Sequence, residues 1–278
     1  MNLKKLTIVT IALLLFLIGC AQTNSNTANA SAASATPVVD RIQQRGMLTV
    51  GMTGTMPPLN MTSKEGELMG YEVDLARAMA KAMGVKAQLK TMLFAELLPA
   101  LEAGKIDMII SNMTITPGRN MKVAFVGPYF VSGKAFMTKK KTIALADEAD
   151  DIDAKNTKLV ALKGSTSQAF VETALPEAQL ITAKDYDEAV KMVLEDKVHA
   201  MVADYPIAVV SVYRYPEQGL LSVVTTLTYE PIGIAVPAGD PLLVNWVENF
   251  LGIAESTGLL DELKRRWLSN ADWLNRLP

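Results

Sequence analysis

Cysteine and histidine, the residues that most often announce chemistry, are nearly missing from this sequence. The 278 residues contain one Cys, Cys20, and one His, His199. A disulfide needs two cysteines and a Cys/His zinc site needs several ligands, so neither framework is available. A His-activated nucleophile would rest on His199 alone. Charge of one sign is also lacking, since 27 basic residues stand against 29 acidic ones for a net charge of −2. That balance excludes a protein built to grip phosphate backbones, and no nucleic-acid partner is expected. The apolar run Leu6–Ile18 has 13 residues, fewer than the about 20 that span a bilayer. What the chain does have is 50% hydrophobic residues, enough for the core of one large domain or two ordinary ones. No residue pattern calls for a cofactor or a metal.

Lys4 and Lys5 precede the short apolar run, and Gly19 and Cys20 follow it. A basic start, a short apolar stretch and a small residue before the cut describe a secretory signal at 1–19. Leu17-Ile18-Gly19-Cys20 resembles the bacterial lipobox, which makes Cys20 the lipidated first residue of the mature chain. Cleavage there leaves 25 basic against 29 acidic residues, net −4, and uses the only thiol. Residues 21–37 hold six Ala, three each of Ser, Thr and Asn, and no charge. Without large apolar residues to offset ordering entropy, 20–37 reads as a flexible tether. The folded part is therefore expected outside the inner membrane, held near a surface by its lipid and on the periplasmic side if the host has two membranes.

The rest alternates strand and helix patterns. Asp40–Arg45 is a polar helical lead-in and Met47–Met52 an apolar strand. Apolar residues at 75, 76, 79, 80 and 83 put a helix over Tyr71–Met83, ending at Gly84. Lys86–Met92 reads as a strand, Phe94–Ala103 as a helix, and Asp107–Ser111 as a buried strand. Pro117 starts a short helix with Thr116 as N-cap. Strands are then expected at Lys158–Leu162, Ala178–Ile181, Ala200–Ala203 and Gly233–Val236. Helices are expected at Ser165–Thr173, Tyr186–Asp196, Pro206–Tyr213, Leu242–Ser256 and Leu259–Leu268. Alternating units imply an α/β fold with mainly parallel sheets, in which ligands sit beyond the carboxyl ends of strands.

Three such turns carry polar chemistry. Ser111–Arg119 offers hydroxyls and one Arg, whose planar fork matches a carboxylate. Lys163-Gly164-Ser165-Thr166-Ser167 exposes N–H groups at a helix start, which suits an anion. Asp204-Tyr205-Pro206 places an acid where it caps a helix or accepts from an ammonium. Each turn alone reads as ordinary capping. Together they supply a cation, an N–H cradle and an anion, the complements of a zwitterion.

Gly70-Tyr71-Glu72-Val73-Asp74-Leu75, followed by Met79, Ala80 and Met83, resembles the signature of the family-3 extracellular solute-binding proteins, the amino-acid receptors of bacterial ABC importers. The resemblance runs from about Leu48 to Trp267 through the blocks Asp107–Arg119, Phe125–Phe130, Leu162–Ser167, Val202–Asp204 and Pro231–Pro241. It implies a type II periplasmic-binding-protein fold, two α/β lobes joined by two crossover strands, closing on the ligand. Lobe one would comprise 38–134 plus 231–278, and lobe two 135–230. Carried over, Arg119 would clamp the ligand's α-carboxylate. Thr114 and the Asn112 backbone would bind carboxylate and ammonium from lobe one. Thr166 and Ser167 would reach the carboxylate from lobe two, Asp204 would take the ammonium, and Phe94 would cover the side chain. The partners implied are a free amino acid, the transmembrane subunits of an ABC permease, and a membrane through the anchor.

The chain departs from the family pattern in places. Thr53 and Met56 stand where many members for polar and basic ligands have an acid and an aromatic. Asn112 replaces the usual Gly or Ser, and Lys163 occupies a position that touches ligand in glutamine-binding members. A neutral polar or acidic amino acid is therefore favoured over a basic one. Glu230, just before the second crossover, is a further cleft candidate. A dehydratase offshoot shares the fold, but the neighbours of Asp204, Tyr205 to Ala208, include no carboxylic acid to protonate a leaving group. His199 stands at the wrong end of its strand, and Glu96 and Glu102 read as exposed helix positions. A subunit presenting its ligand to a sensor would close in the same way.

Overall fold

The computed structural model describes residues 36–146, 151–222 and 227–278. The expected signal segment, Cys20 and nearly all of the tether lie outside the described residues. Among the described residues no helix is long and apolar enough to cross a membrane.

The chain enters through α1 (Pro37–Arg45), which buries Val38 and Ile42, and passes into β1 (Met47–Met52), where Leu48, Val50 and Met52 are fully buried. Short strands β2 (Thr55–Met56), β3 (Asn60–Thr62) and β4 (Leu68–Met69) form an antiparallel sheet of their own. Then comes α2 (Tyr71–Ala82), whose apolar stripe reaches the core through Leu75, Ala76, Met79 and Ala80. Gly70 before it has φ +132°, and a Cβ there would lie 2.7 Å from the Leu59 carbonyl carbon, so a glycine is required. Next follow β5 (Lys86–Thr91), α3 (Phe94–Glu102), β6 (Met108–Ile109), α4 (Pro117–Asn120) and the long β7 (Val123–Ser132).

Gly133 alone separates β7 from β8 (Lys134–Thr138), the first strand of a second sheet. That sheet is built with α5 (Lys141–Ala144), β9 (Lys158–Leu162), α6 (Thr166–Ala174), β10 (Gln179–Ala183), α7 (Tyr186–Leu194), β11 (Ala200–Asp204), α8 (Tyr205–Arg214) and β12 (Leu221–Ser222). The chain returns through β13 (Glu230–Pro237) and ends in α9 (Pro241–Ser256) and α10 (Leu259–Trp267). The two large sheets have strand orders β5-β1-β6-β13-β7 and β10-β9-β11-β8-β12. β7 and β13 pair antiparallel from Ser132↔Glu230 to Val123↔Pro237, so the outgoing and returning chains form one ribbon between the sheets.

One expectation is refined and one corrected. The sheets are mainly parallel, but each carries one reversed strand: β1 pairs parallel with β5 and β6, and β9 with β10 and β11, while β13 and β8 run antiparallel to their neighbours. The reason is topological, since a chain that crosses to the second sheet and comes back must run against the strands it joins. Of Asp107–Ser111 only Met108–Ile109 pairs as a strand. Asp107, completely buried, instead accepts from Arg41 at 3.0 Å, from Arg45 and from the Thr49 N–H at 2.8 Å. A buried carboxylate answered by two guanidinium groups and a backbone donor is a fastening point of the first lobe.

Candidate functional site

The polar turns after β6, β9 and β11 meet between the two sheets. After β6, Ser111 accepts the Thr53 N–H at 3.0 Å, and Asn112 takes a left-handed backbone, φ +49°. Asn is one of the few residues that tolerate this conformation, and it lets the Asn112 N–H donate to Glu72 at 2.6 Å while its side-chain amide donates to Asp204. Thr116 caps α4 by accepting the Arg119 N–H at 3.2 Å. The Arg119 guanidinium lies 5.7 Å from the Phe94 ring centre and donates to the Thr114 carbonyl at 2.9 Å and the Gly164 carbonyl at 3.0 Å. Since Gly164 belongs to the second lobe, Arg119 spans the cleft. So do Thr114 and Thr166, whose hydroxyls stand 3.2 Å apart.

On the second lobe, Ser165 caps α6 by accepting the Gln168 N–H at 3.2 Å, which leaves Thr166 and Ser167 on the first turn. Ser167 is fully buried beside the Tyr186 phenol. Asp204 stands at the start of α8 without capping it. Its Oδ1 accepts from the Lys134 ammonium at 2.7 Å and its Oδ2 from the Asn112 amide. Lys134 also reaches Thr166 Oγ1 at 2.7 Å and Glu230 Oε2 at 3.3 Å. Glu230 opens β13 and accepts from Thr166 at 2.9 Å and from Thr228 at 3.0 Å.

Burial pushes the Glu230 carboxyl up, but Lys134 beside it and the hydroxyls of Thr114, Thr166 and Thr228 outweigh that and leave it below the usual carboxylate range. Burial lowers the pKa of Arg119, against the pull of Glu230 and Asp204. Glu72 is completely enclosed, and its desolvation raises it despite donors from Tyr129, Asn112 and Asn60. Burial also raises the phenols of Tyr129 and Tyr186, with Glu72 adding to the first and Asp204 to the second.

Next to this polar centre a cavity of about 300 Å³ opens between the lobes. Thr53, Thr91, Phe94 and Glu96 line it from the first lobe, and Leu162, Lys184 and Asp185 from the second. A larger cavity of about 670 Å³ lies around Val126–Val131 and Glu248, away from Arg119, Thr114, Asn112, Thr166 and Asp204, and size alone does not make it the site. Among the described residues no cluster of His, Cys, Asp or Glu is arranged to hold a metal.

The structure thus gathers Arg119, Thr114, Asn112, Thr166 and Asp204 at one centre, with Phe94 against Arg119 and Thr53 at the adjoining cavity, while Ser167, next to Thr166 on the same turn, is buried beside Tyr186. Two residues singled out from the sequence sit differently. Met56 is 1% exposed and packed in the core, with Ser111 Oγ at 4.0 Å from its sulfur. Lys163 is exposed, and neither residue lines the cavity. His199 lies at the opposite end of β11, its Nδ1 accepting the Lys158 N–H at 3.1 Å. Sequence reasoning missed Lys134, Glu72 and Tyr129. Glu72 carried a signal: it lies three and four residues before Leu75 and Ala76, on the apolar face of α2. Lys134 carried a weaker one, a cation at the head of the otherwise apolar Ala135-Phe136-Met137.

Two α/β lobes, two crossover strands and polar strand ends converging between them define the type II periplasmic-binding-protein fold. Residues 48–270 match the family described as bacterial extracellular solute-binding proteins, family 3, and the chain belongs to that family. The ABC transporter glutamine-binding protein GlnH of Bacillus subtilis is 28% identical over 269 residues, covering 95% of this chain and 96% of its own. Among solved structures, a binding component of an ABC transporter from Wolinella succinogenes complexed with lysine has a TM-score of 0.79 at 38% identity, covering 83% of this chain and 99% of its own. The ancestral amino-acid-binding protein AncCDT-1, a precursor of cyclohexadienyl dehydratase, has a TM-score of 0.76 at 34% identity, covering 82% and 98%.

Proposed function

We propose that this protein captures a free α-amino acid between its lobes and delivers it to the permease of an ABC importer. The observation that carries the reading is the pairing, in one cleft, of the Arg119 guanidinium with the carboxylates Asp204 and Glu230. A guanidinium suits the ligand's carboxylate and the acids its ammonium. The Asn112 side-chain oxygen, buried and without a hydrogen-bond partner, is a further acceptor for an ammonium N–H. Thr114 and Thr166 supply hydroxyls from opposite lobes, so a ligand held by both favours the closed arrangement through contacts the open one lacks. The cavity at Thr53 and Phe94 takes the side chain, with a neutral polar or acidic one favoured.

The reading is one of binding and not of turnover, because the start of α8 carries no acid beside Asp204. The other cleft carboxyl, Glu230, is held below the usual carboxylate range, against its burial, by Lys134 and is therefore ionised rather than ready to protonate a leaving group. Cys20 carries a lipid that holds the body on the extracytoplasmic face of a membrane, and Cys20→Ser releases it to the soluble fraction. Calorimetry against the twenty amino acids is the direct test. One-to-one binding of a neutral or acidic amino acid is the expected result. No binding by folded protein, or conversion of arogenate or prephenate, would replace the reading.

A further inference from the structure

Lys134 opens β8, and the register of the second sheet sets it directly across from Asp204 of β11. Its side chain is 1% exposed. The ammonium has three donors, and Asp204 Oδ1 at 2.7 Å, Thr166 Oγ1 at 2.7 Å and Glu230 Oε2 at 3.3 Å are positioned to take them. Lys134 and Asp204 are neighbours in one sheet, so their pairing does not depend on where the first lobe stands. The link to Glu230 is of another kind, joining the start of β8 to the start of β13 across the two crossovers.

Charge counting gives this arrangement a consequence. Asp204 and Glu230 contribute two negative charges, and Lys134 cancels one of them. The other groups facing the cluster, Thr114, Thr166, Thr228, the Asn112 amide and the Tyr186 phenol, are neutral. Glu72, a further buried acid that interacts with Asp204, is occupied by Tyr129, Asn112 and Asn60. The ammonium end of the cleft is thus left with a single negative charge, and the Arg119 end with a single positive one. A zwitterion answers both. A second cation on the ligand finds no unanswered carboxylate at this centre and meets Lys134. In the adjoining side-chain cavity Asp185 is answered by Lys184 at 3.9 Å and by the Glu188 N–H at 2.8 Å, and Glu96 accepts the Leu93 N–H at 3.3 Å.

We propose that Lys134 determines specificity: it is a built-in counter-ion that cancels one of two cleft carboxylates, so that the site accepts amino acids of zero or negative net charge and refuses cationic ones. The inference rests on the amino-acid reading above. It concerns the ligand's total charge in a cleft shielded from water, where like charges are screened least.

The test is calorimetry at pH 7 with glutamine, glutamate, arginine and lysine. Wild type should bind glutamine or glutamate at least tenfold more tightly than arginine or lysine, and the reverse order overturns the proposal. Lys134→Met keeps the stem and removes the charge, and should raise the affinity for arginine relative to glutamine at least tenfold. Adding Glu230→Gln returns the locus to one net negative charge and should restore the wild-type ratio, which a packing role for Lys134 does not predict. A ratio that stays within twofold in Lys134→Met overturns the proposal while leaving the amino-acid reading intact. If Lys134→Met does not fold, Glu230→Gln alone carries the test: the locus becomes neutral, and binding of every amino acid should weaken at least tenfold, cationic ones most. Unchanged affinities in that variant overturn the proposal too. Folded wild type that binds none of the twenty amino acids refutes the underlying reading, a result distinct from all of these.

Discussion

Replacing Arg119 tests the carboxylate clamp most directly. Its guanidinium has five N–H donors, of which one goes to the Thr114 carbonyl and one to the Gly164 carbonyl. Up to three remain for a ligand carboxylate, enough for a bidentate grip. Arg119→Ala removes that grip and one of the hydrogen bonds that join the lobes. Truncating one partner of a desolvated charge pair costs about 2–5 kcal/mol, so affinity should fall about 30-fold or more. Arg119→Lys keeps the charge but must divide three donors among two carbonyls and the ligand, and should lose about tenfold. Neither change should unfold the protein. The side chain sits at a turn beyond a strand end, and losing its two bonds to carbonyls should cost no more than about 2 kcal/mol of stability. Calorimetry gives the affinities, and thermal melts followed by circular dichroism give the stabilities. A folded Arg119→Ala protein that binds its amino acid within threefold of wild type would refute the assignment.

Other expectations follow from the same geometry. Small-angle scattering should show a smaller radius of gyration on saturation with ligand, because Arg119, Thr114 and Asn112 of one lobe engage Gly164, Thr166 and Asp204 of the other; an unchanged radius would count against closure. Gly70→Ala should cost on the order of 2–4 kcal/mol by denaturant titration, since the new Cβ meets the Leu59 carbonyl at a backbone conformation other residues rarely adopt. The lowered pKa of Glu230 makes its contribution to stability present above about pH 4.5 and lost as pH falls through its depressed value. Glu230→Gln should therefore narrow the gap to wild type at acid pH in melts across that range, and a gap that widens would contradict the sign.

Much of this protein was decided locally. The stripe at Leu75, Ala76, Met79 and Ala80 makes a helix wherever it is placed, because its period matches the 3.6-residue turn. The apolar run at 159–162 makes a buried strand for a comparable reason. Thr116-Pro117 and Ser165 start helices through caps that act within three residues, and so Arg119 and Thr166 were legible as turn residues at strand ends. The resemblance around Gly70–Leu75 extended that reading to the whole body.

What local pattern could not supply was pairing. The strand at 123–132 was missed because its hydrophobic pattern is interrupted by Gly127 and Pro128, and only its partnership with β13 makes it a strand. The antiparallel course of β8 and β13 follows from the chain's crossing between sheets, which no window of residues contains. Lys134 is the clearest case. Seventy residues separate it from Asp204, and a lysine at the head of a strand ordinarily keeps its charge in water. The β8–β11 register and the return of Glu230 through the second crossover bring two carboxylates to it, and only that convergence makes an enclosed ammonium stable. Sequence determined which residues carry charge; tertiary structure decided which charges answer one another, because an ion pair's energy depends on separation in space and on exclusion of water, and neither is a property of position along the chain.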